Sequence, residues 1–184
     1  MAHTFYDGTI PVLQSLLRTL THILQKASNP PTTTTGTTPT SSSSSPSELE
    51  ATLFAARITP DMYPLPDQIR LATQFAENLA ARLTARDPVK FDGSPTTFAQ
   101  SYERINTVLK ALDEADKEFV NGQADVLSPT QVGPGAVIDM SGGAYAHRIV
   151  LPNVYFHVTT AYDILRMSGV QIGKRDYYEG FFPQ

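Results

Sequence analysis

The chain contains no cysteine among its 184 residues. This absence excludes disulfide bonds, thiolate metal ligands and a cysteine nucleophile, and it is compatible with a cytosolic protein. An excess of positive charge is also lacking, since 14 basic residues stand against 18 acidic ones, for a net charge of -4. Because nucleic-acid-binding surfaces neutralise phosphates with clustered basic side chains, this dispersed and slightly acidic balance disfavours a nucleic-acid partner.

Long uninterrupted apolar runs are absent too. The longest are broken by Arg18, His22, Asn153 and His157, so no segment is predicted to cross a bilayer. The first seven residues have neither the basic region nor the apolar core of a signal peptide. These absences predict a soluble cytoplasmic protein that makes no contact with a membrane.

Recognised catalytic motifs are missing as well. The chain has no glycine-rich phosphate loop, no G-x-S-x-G, no H-E-x-x-H and no pair of carboxylates on an apolar helix face. No reaction can therefore be named from a motif. The information that remains lies in the periodicity of the apolar residues.

Three segments carry apolar residues at three- and four-residue spacing, which predicts amphipathic helices. Thr9 can cap the first of them, Pro11 lies in its first turn and Asn29 marks its end. His22 falls between the apolar positions and is predicted to be a partly exposed surface histidine. The apolar stripes are Ile10, Leu13, Leu16, Leu17, Leu20, Ile23, Leu24 and Ala27; Leu65, Ile69, Ala72, Ala76, Leu79, Ala80 and Leu83; and Phe98, Tyr102, Ile105, Leu109 and Leu112.

The connections between these helices differ in composition. Residues 30–46 are almost exclusively Thr, Ser, Pro and Gly, which cannot form a packed core, and they are predicted to be a flexible insertion within the domain. Ser47 followed by Glu48 then predicts the start of a short helix. Residues 57–66 contain three prolines and form a rigid loop, which could equally be a pocket rim or a plain connector.

A change of pattern at residues 121–143 predicts a small β-hairpin. Strand-like runs at 125–127 and 136–140 flank turn residues at Ser128-Pro129 and at Gly133-Pro134-Gly135. The chain then leads into a last long helix, which brings the number of long helices to four. This set predicts an all-α fold, an antiparallel four-helix bundle in one domain over residues 1–184 with the hairpin inserted before the last long helix.

The last long helix, Leu151–Arg166, is nearly all apolar and is predicted to lie at the centre of the bundle. Two polar side chains, Asn153 and His157, lie one turn apart on its inner face. Pro152 should leave one backbone carbonyl without its usual partner, and Asn153 could satisfy such a group. The residues predicted to face water are Thr159, Asp163 and Arg166. Beyond the helix, Gly169 suits a left-handed cap, and the aromatic tail is expected to fold back on the bundle.

The last helix and the residues after it resemble a known family. The matching signature runs from Phe156 to Arg166 (FHVTTAYDILR) and continues through Gly169-Val170 and residues 172–177 (IGKRDY). Tyr6 through Leu20 and residues 56–65 (ARITPDMYPL) resemble the same family. It is a family of unknown function within the DinB/YfiT-like metalloenzyme superfamily. Its fungal members often carry the label "helix-turn-helix domain", although the acidic balance and the helix lengths argue against DNA binding.

The resemblance implies a four-helix bundle in which three histidines hold a divalent metal, often nickel or zinc. The corresponding positions here are Asn153, His157 and Gln68, so only one of the three is histidine. Amide oxygens are weak ligands for such metals, and stable sites need three or four good donors. His147 would not converge with His157, because a continuous helix rotates it by roughly 80° over ten residues. No cofactor is therefore expected, and nickel or zinc at His157 is the alternative.

Three interpretations of this degenerate triad remain open. In the first, the pocket around His157 is retained although the metal has been lost, and it binds a small apolar molecule. In the second, His157 is the catalytic general acid/base, with a pKa near neutrality, of a metal-independent or weakly metal-dependent isomerase, cyclase or dehydratase of specialised metabolism. In the third, the polar residues form a purely structural hydrogen-bonded cluster. The candidates for ligand binding are Gln68, Asn153, Asp61, Met62, Tyr63 and Tyr6.

The expected partner is therefore a small apolar molecule rather than a nucleic acid or a membrane. An exposed helix face would also allow a homodimer, a state that the sequence does not determine. The Ser/Thr-rich insertion has no predicted role.

Overall fold

A computed structural model describes residues 2–29 and 45–182 of the chain. Most of the predicted insertion, residues 30–44, lies outside the described residues. The elements in chain order are α1 (Ile10–Ser28), α2 (Pro46–Ala55), α3 (Leu65–Leu83), α4 (Phe98–Asp113), α5 (Lys117–Gly122), β1 (Leu127–Gly133), β2 (Ala136–Ser141), α6 (Gly142–Tyr145), a π-helical turn (Ala146–Val150), α7 (Leu151–Met167), α8 (Lys174–Tyr178) and a 3₁₀ turn (Glu179–Phe181).

The four long helices α1, α3, α4 and α7 surround one core. α1 packs against α4 and α7, and α3 packs against the same two helices. This arrangement confirms the predicted four-helix bundle, with the hairpin preceding the last long helix. Each helix buries most of its predicted apolar stripe, although in α4 the unpredicted Val108 is buried and Tyr102 and Leu109 are only partly so; fully buried examples are Leu13, Leu16 and Leu20 of α1, Ile69, Ala72 and Leu79 of α3, Ile105 and Leu112 of α4, and Val154, Val158 and Ile164 of α7.

Two helix starts differ from the prediction. Thr9 occupies the N-cap position of α1, but its hydroxyl donates to carbonyls of the preceding turn instead of accepting from the helix. The cap of α2 is Ser45 rather than Ser47, because the Glu48 carboxylate three residues later accepts a hydrogen bond from the Ser45 N–H. The Glu48 N–H donates to the Ser45 hydroxyl in return, which completes a capping box, whereas the carboxylate of Glu50, three residues after Ser47, accepts from the Phe98 N–H.

The hairpin of β1 and β2 is antiparallel and confirms the prediction, although β1 is longer than expected. The sequence places the first strand at 125–127 and interprets Ser128-Pro129 as a turn, whereas the paired residues continue to Gly133. Proline is tolerated in β1 because both strands of a two-stranded sheet are edge strands. Gly135 supplies the turn with a φ of +72°, a conformation that favours glycine.

The last long helix is less central than its composition predicts. Tyr155 and Phe156 are 39% and 56% exposed, and they share an outer face with Thr159 and Asp163. α7 therefore forms a wall of the bundle with one side open to solvent, and the prediction that it lies at the centre is wrong. None of the helices in the described ranges is both long and apolar enough to cross a membrane.

The C-terminal segment folds back on α1, as predicted. The Thr19 hydroxyl of α1 donates to the Tyr177 carbonyl over 2.8 Å, and Asp176 accepts hydrogen bonds from His22 and Lys26 at 3.0 and 2.8 Å. His22 is thus a surface histidine that anchors the tail. Burial alone would raise the pKa of Asp176, but these bonds and the Gly173 N–H together hold it below its ordinary value. Gly169 adopts the predicted left-handed conformation, with a φ of +90°.

Replacement of Gly180 by alanine should destabilise the fold by about 1–3 kcal/mol. A Cβ at this position would collide with the Ser15 carbonyl and would lie 2.6 Å from the Thr19 nitrogen, so the tail could not stay seated on α1. Chemical denaturation measures the loss. Gly173→Ala is the matched control, because a Cβ there meets no atom within 4 Å. Equal stabilities of the two variants would contradict this packing.

Candidate functional site

The backbone is irregular just before the candidate site. α6, the π-helical turn and α7 follow one another without a break, and the Leu151 N–H reaches back five residues to the Ala146 carbonyl. Pro152, next in sequence, has no N–H to donate. The side chain of Asn153 instead donates from Nδ2 to the Ile149 carbonyl over 2.6 Å. The amide nitrogen of Asn153 thus binds a backbone carbonyl, but this carbonyl lies three residues before Pro152, whereas the proline removes the usual donor of the carbonyl four residues before it.

His157 forms a hydrogen bond across the bundle to Gln68. Nδ1 of the imidazole lies 2.8 Å from the Gln68 Oε1, and the two residues are only 7% and 1% exposed. The Gln68 Nε2 donates to the Tyr63 carbonyl, also over 2.8 Å. A continuous chain of bonds therefore runs from the proline-rich loop before α3, through the start of α3, to the middle of α7.

This chain of bonds defines the tautomer of the imidazole. Because the Gln68 amide nitrogen donates to Tyr63, its oxygen faces His157 and must accept, so Nδ1 carries the hydrogen. Nε2 is then the unprotonated nitrogen. Within residues 2–29 and 45–182 no group is hydrogen-bonded to it, and no side-chain nitrogen there is both buried and unpaired. Nε2 consequently retains contact with solvent as a free acceptor.

Aromatic rings enclose the imidazole on two sides. The Phe75 ring lies nearly parallel to it at 6.2 Å between centroids, and the Phe156 ring meets it edge-on at 5.3 Å. Phe156 is largely exposed, and so is Tyr63, at 59%. Phe156 therefore brings exposed apolar surface next to the imidazole.

The environment keeps His157 uncharged. Burial, followed by the positive charge of Arg70, lowers the pKa of His157 from 6.5 to about 4. The expectation of a pKa near neutrality is therefore wrong. The Gln68 oxygen that accepts the hydrogen bond from Nδ1 is neutral, so no negative charge offsets the burial of the ring. At neutral pH the imidazole is an acceptor at Nε2 and a donor at Nδ1.

The comparisons with known proteins agree with this fold. A family model described as a domain of unknown function (DUF1993) matches residues 5–178. The chain belongs to the DUF1993 family. A crystal structure described as a DinB family member protein from Shewanella denitrificans is similar over 94% of this chain and 90% of that one, with 30% identity and a TM-score of 0.75. A search of curated proteins finds no match. The predicted resemblance to a DinB-like family of unknown function is thus confirmed.

The other candidate residues of this DUF1993 chain occupy different places. Met62 and Tyr63 lie in the loop that leads to Gln68, and Tyr63 takes part through its carbonyl. Asp61 is exposed in the same loop, where a hydrogen bond from Thr59 lowers the pKa of its carboxyl group. Tyr6 lies elsewhere: its carbonyl accepts from the start of α1, its N–H donates to Asn121 of α5 and its ring faces Lys117.

The donor set does not fit the metal that the superfamily implies. Among the described residues, no group of three His, Asp or Glu side chains could hold a metal ion. His157 offers one nitrogen, while the Gln68 oxygen is occupied by the imidazole N–H and the Asn153 amide binds the backbone. His147 is exposed and packs against Phe5, so it adds no ligand beside His157.

Three residues of the site were not among the sequence candidates. Phe75 follows Gln68 by seven residues, so a helical projection of α3 could have placed it on the same face. Arg70 and Phe156 carried no such signal, because a charge near the start of a helix and an aromatic residue beside a histidine are common. The packing of α3 against α7 makes Arg70 and Phe75 neighbours of the imidazole, whereas Phe156 adjoins it along α7.

The titration of His157 should by itself raise the free energy of unfolding by about 3 kcal/mol between pH 4 and pH 6.5. In this window the unfolded state binds a proton at His157 and the folded state does not, so acid favours unfolding. Urea denaturation across the window measures the slope. His157→Gln, which cannot titrate, should have a flatter profile, and the exposed-site control His147→Gln should retain the parental one. A His157→Gln profile as steep as the parental profile would contradict the assignment.

Proposed function

We propose that this DinB-like bundle binds a small apolar molecule through a hydroxyl or N–H group, with Nε2 of His157 as the acceptor. The observation that carries the proposal is the unequal state of the two ring nitrogens. Nδ1 is fixed by Gln68, whereas Nε2 has no hydrogen-bond partner in the described part of the chain and contacts solvent. A fixed acceptor surrounded by aromatic rings suits a ligand that combines one donor with an apolar body.

The surroundings of Nε2 also restrict the charge of the ligand. The positive charge of Arg70 and the burial that lowers the pKa of His157 both disfavour a cation beside the ring. The rings of Phe75 and Phe156 favour contact with a flat or aliphatic body. A neutral molecule with a phenolic or alcoholic hydroxyl fits both conditions.

The same pKa weakens the alternative of an enzyme that uses His157 as general acid/base. Efficient proton transfer needs a pKa near the working pH, and a value of about 4 makes the ring a poor base at pH 7. One observation favours an isomerase, cyclase or dehydratase: Gln68 orients the His157 ring, in the way that catalytic bases are held in position by a neighbouring side chain. A purely structural role would need only the bond between Gln68 and His157, and would leave Nε2 without a function.

Phenol should bind at this site at least about threefold more tightly than anisole, because only phenol can donate a hydrogen bond to Nε2. Binding can be followed in the full chain through the ring resonances of Phe75 and Phe156, which flank His157 and are retained in its variants. His157→Phe retains an aromatic ring but removes the acceptor, so it should bind the two probes equally. Its fold must first be verified by circular dichroism, since the Gln68 oxygen loses its donor.

The exposed-site control for this experiment is His147→Phe, which should bind phenol as the parent does. Equal binding of phenol and anisole by the parent protein would contradict an acceptor role for Nε2. Absence of any shift at Phe75 and Phe156 with phenol would contradict the pocket itself and would leave the structural role of the bond.

A further inference from the structure

A cleft lies between α3, the hairpin and the π-helical turn, and Phe75 forms part of its wall. Its volume is about 320 Å³, within the range of small-molecule sites. It is lined by Phe75, Asn78, Arg82, Pro129, Thr130, Gln131, Tyr145 and Ile149. Neither aspartate nor glutamate is among these residues, so the only charge on the lining is that of Arg82.

Arg82 is held in place by neutral groups. Its Nη1 donates to the Thr130 hydroxyl over 2.8 Å, its Nη2 donates to the Met140 carbonyl, and its guanidinium lies 4.7 Å from the centre of the Tyr145 ring. The Thr130 hydroxyl itself donates to the Ser128 carbonyl, so it presents a lone pair to the arginine. These bonds position the guanidinium without neutralising its charge.

Arg82 has no carboxylate partner in the described part of the chain, unlike two other arginines of the same region. Arg70 pairs with Asp67 at 3.1 Å, and Arg86 pairs with the buried Glu77 at 2.6 Å. Arg82 is half-buried, and this burial lowers its pKa. A partly desolvated charge without a counterion is unfavourable, and an anion from outside would relieve that cost.

Two further donors lie beside the guanidinium. The Asn78 Oδ1 accepts from Gln74 over 2.9 Å, so the part of Asn78 left for a ligand is its NH₂ group. The Tyr145 hydroxyl adds an O–H donor, and burial raises its pKa, which keeps it protonated. The remaining walls, Phe75, Pro129 and Ile149, are apolar.

We propose that this cleft binds a small carboxylate with a flat apolar body, with Arg82 as its anchor. Three of the five guanidinium hydrogens are not used by Thr130 or Met140, and a planar fork of such donors matches a carboxylate. Asn78 and Tyr145 donate to the same group, while the apolar walls hold the body of the ligand. The site is independent of the proposed role of His157, although the two share Phe75.

Phenylacetate and phenylacetamide are the matched probes, because they differ only in the charged group. Amide and side-chain resonances of the full chain report binding at Arg82, Asn78 and Tyr145. Phenylacetate should shift these resonances, and its dissociation constant should be at least about tenfold lower than that of phenylacetamide. The reason is that charge-assisted hydrogen bonds are stronger than neutral ones. His157→Gln should bind phenylacetate as the parent does, so failure at one site is distinguishable from failure at the other.

Two variants test the anchor in different ways. Arg82→Gln removes the charge and should lose the preference for phenylacetate, but it also loosens the hairpin. Asn78→Asp keeps the acceptor for Gln74 and places a carboxylate one turn from Arg82, so it should abolish binding while the melting temperature is maintained. Arg148→Gln, which removes an exposed arginine near the cleft, is the control and should bind like the parent.

The proposal is overturned if phenylacetate and phenylacetamide bind equally, or if Asn78→Asp binds phenylacetate as tightly as the parent. It is also overturned if phenylacetate shifts none of the three reporter residues at the highest soluble concentration. Loss of binding in Asn78→Asp with retention in Arg148→Gln is the result that supports it.

Discussion

The hydrogen bond between Gln68 and His157 is the interaction on which the candidate site depends. Both ends of the Gln68 amide are used, one by the Tyr63 carbonyl and one by the imidazole, at a residue that is 1% exposed. Loss of either partner would leave a buried polar group unpaired, at a cost of about 1–3 kcal/mol. The bond therefore connects the proline-rich loop, α3 and α7, and at the same time determines which nitrogen of the ring is free.

An amide at position 68 changes the chemistry of its neighbour. The resemblance to the DinB/YfiT-like superfamily implies a metal-binding histidine at this position. Here the glutamine oxygen accepts a proton from Nδ1, so His157 is oriented by a neutral group. Because no negative charge compensates its burial, the ring stays neutral and its pKa is low. A neutral ring oriented in this way is what the proposed acceptor role requires.

α3 links the His157 site to the cleft at Arg82 through a stripe with seven-residue spacing. Gln68, Phe75 and Arg82 follow one another every two turns, so their side chains lie along one face of the helix. The face begins with a neutral hydrogen-bonded amide, continues with an aromatic ring that packs against His157, and ends with an arginine held by the hairpin. The hairpin and the π-helical turn are the elements that enclose this last part of the stripe.

Local patterns in the sequence were enough to predict the four long helices and the hairpin, since periodicity and turn residues act over short distances, whereas Gln68 was placed with His157 only through the family resemblance. The capping residue of α2, the length of β1 and the exposed face of α7 required the structure, because several nearby residues satisfied the same local rule. The low pKa of His157 and the unpaired charge of Arg82 were decided by tertiary packing alone. Burial and neighbouring charge depend on which helices pack against each other, and local sequence patterns do not specify those contacts.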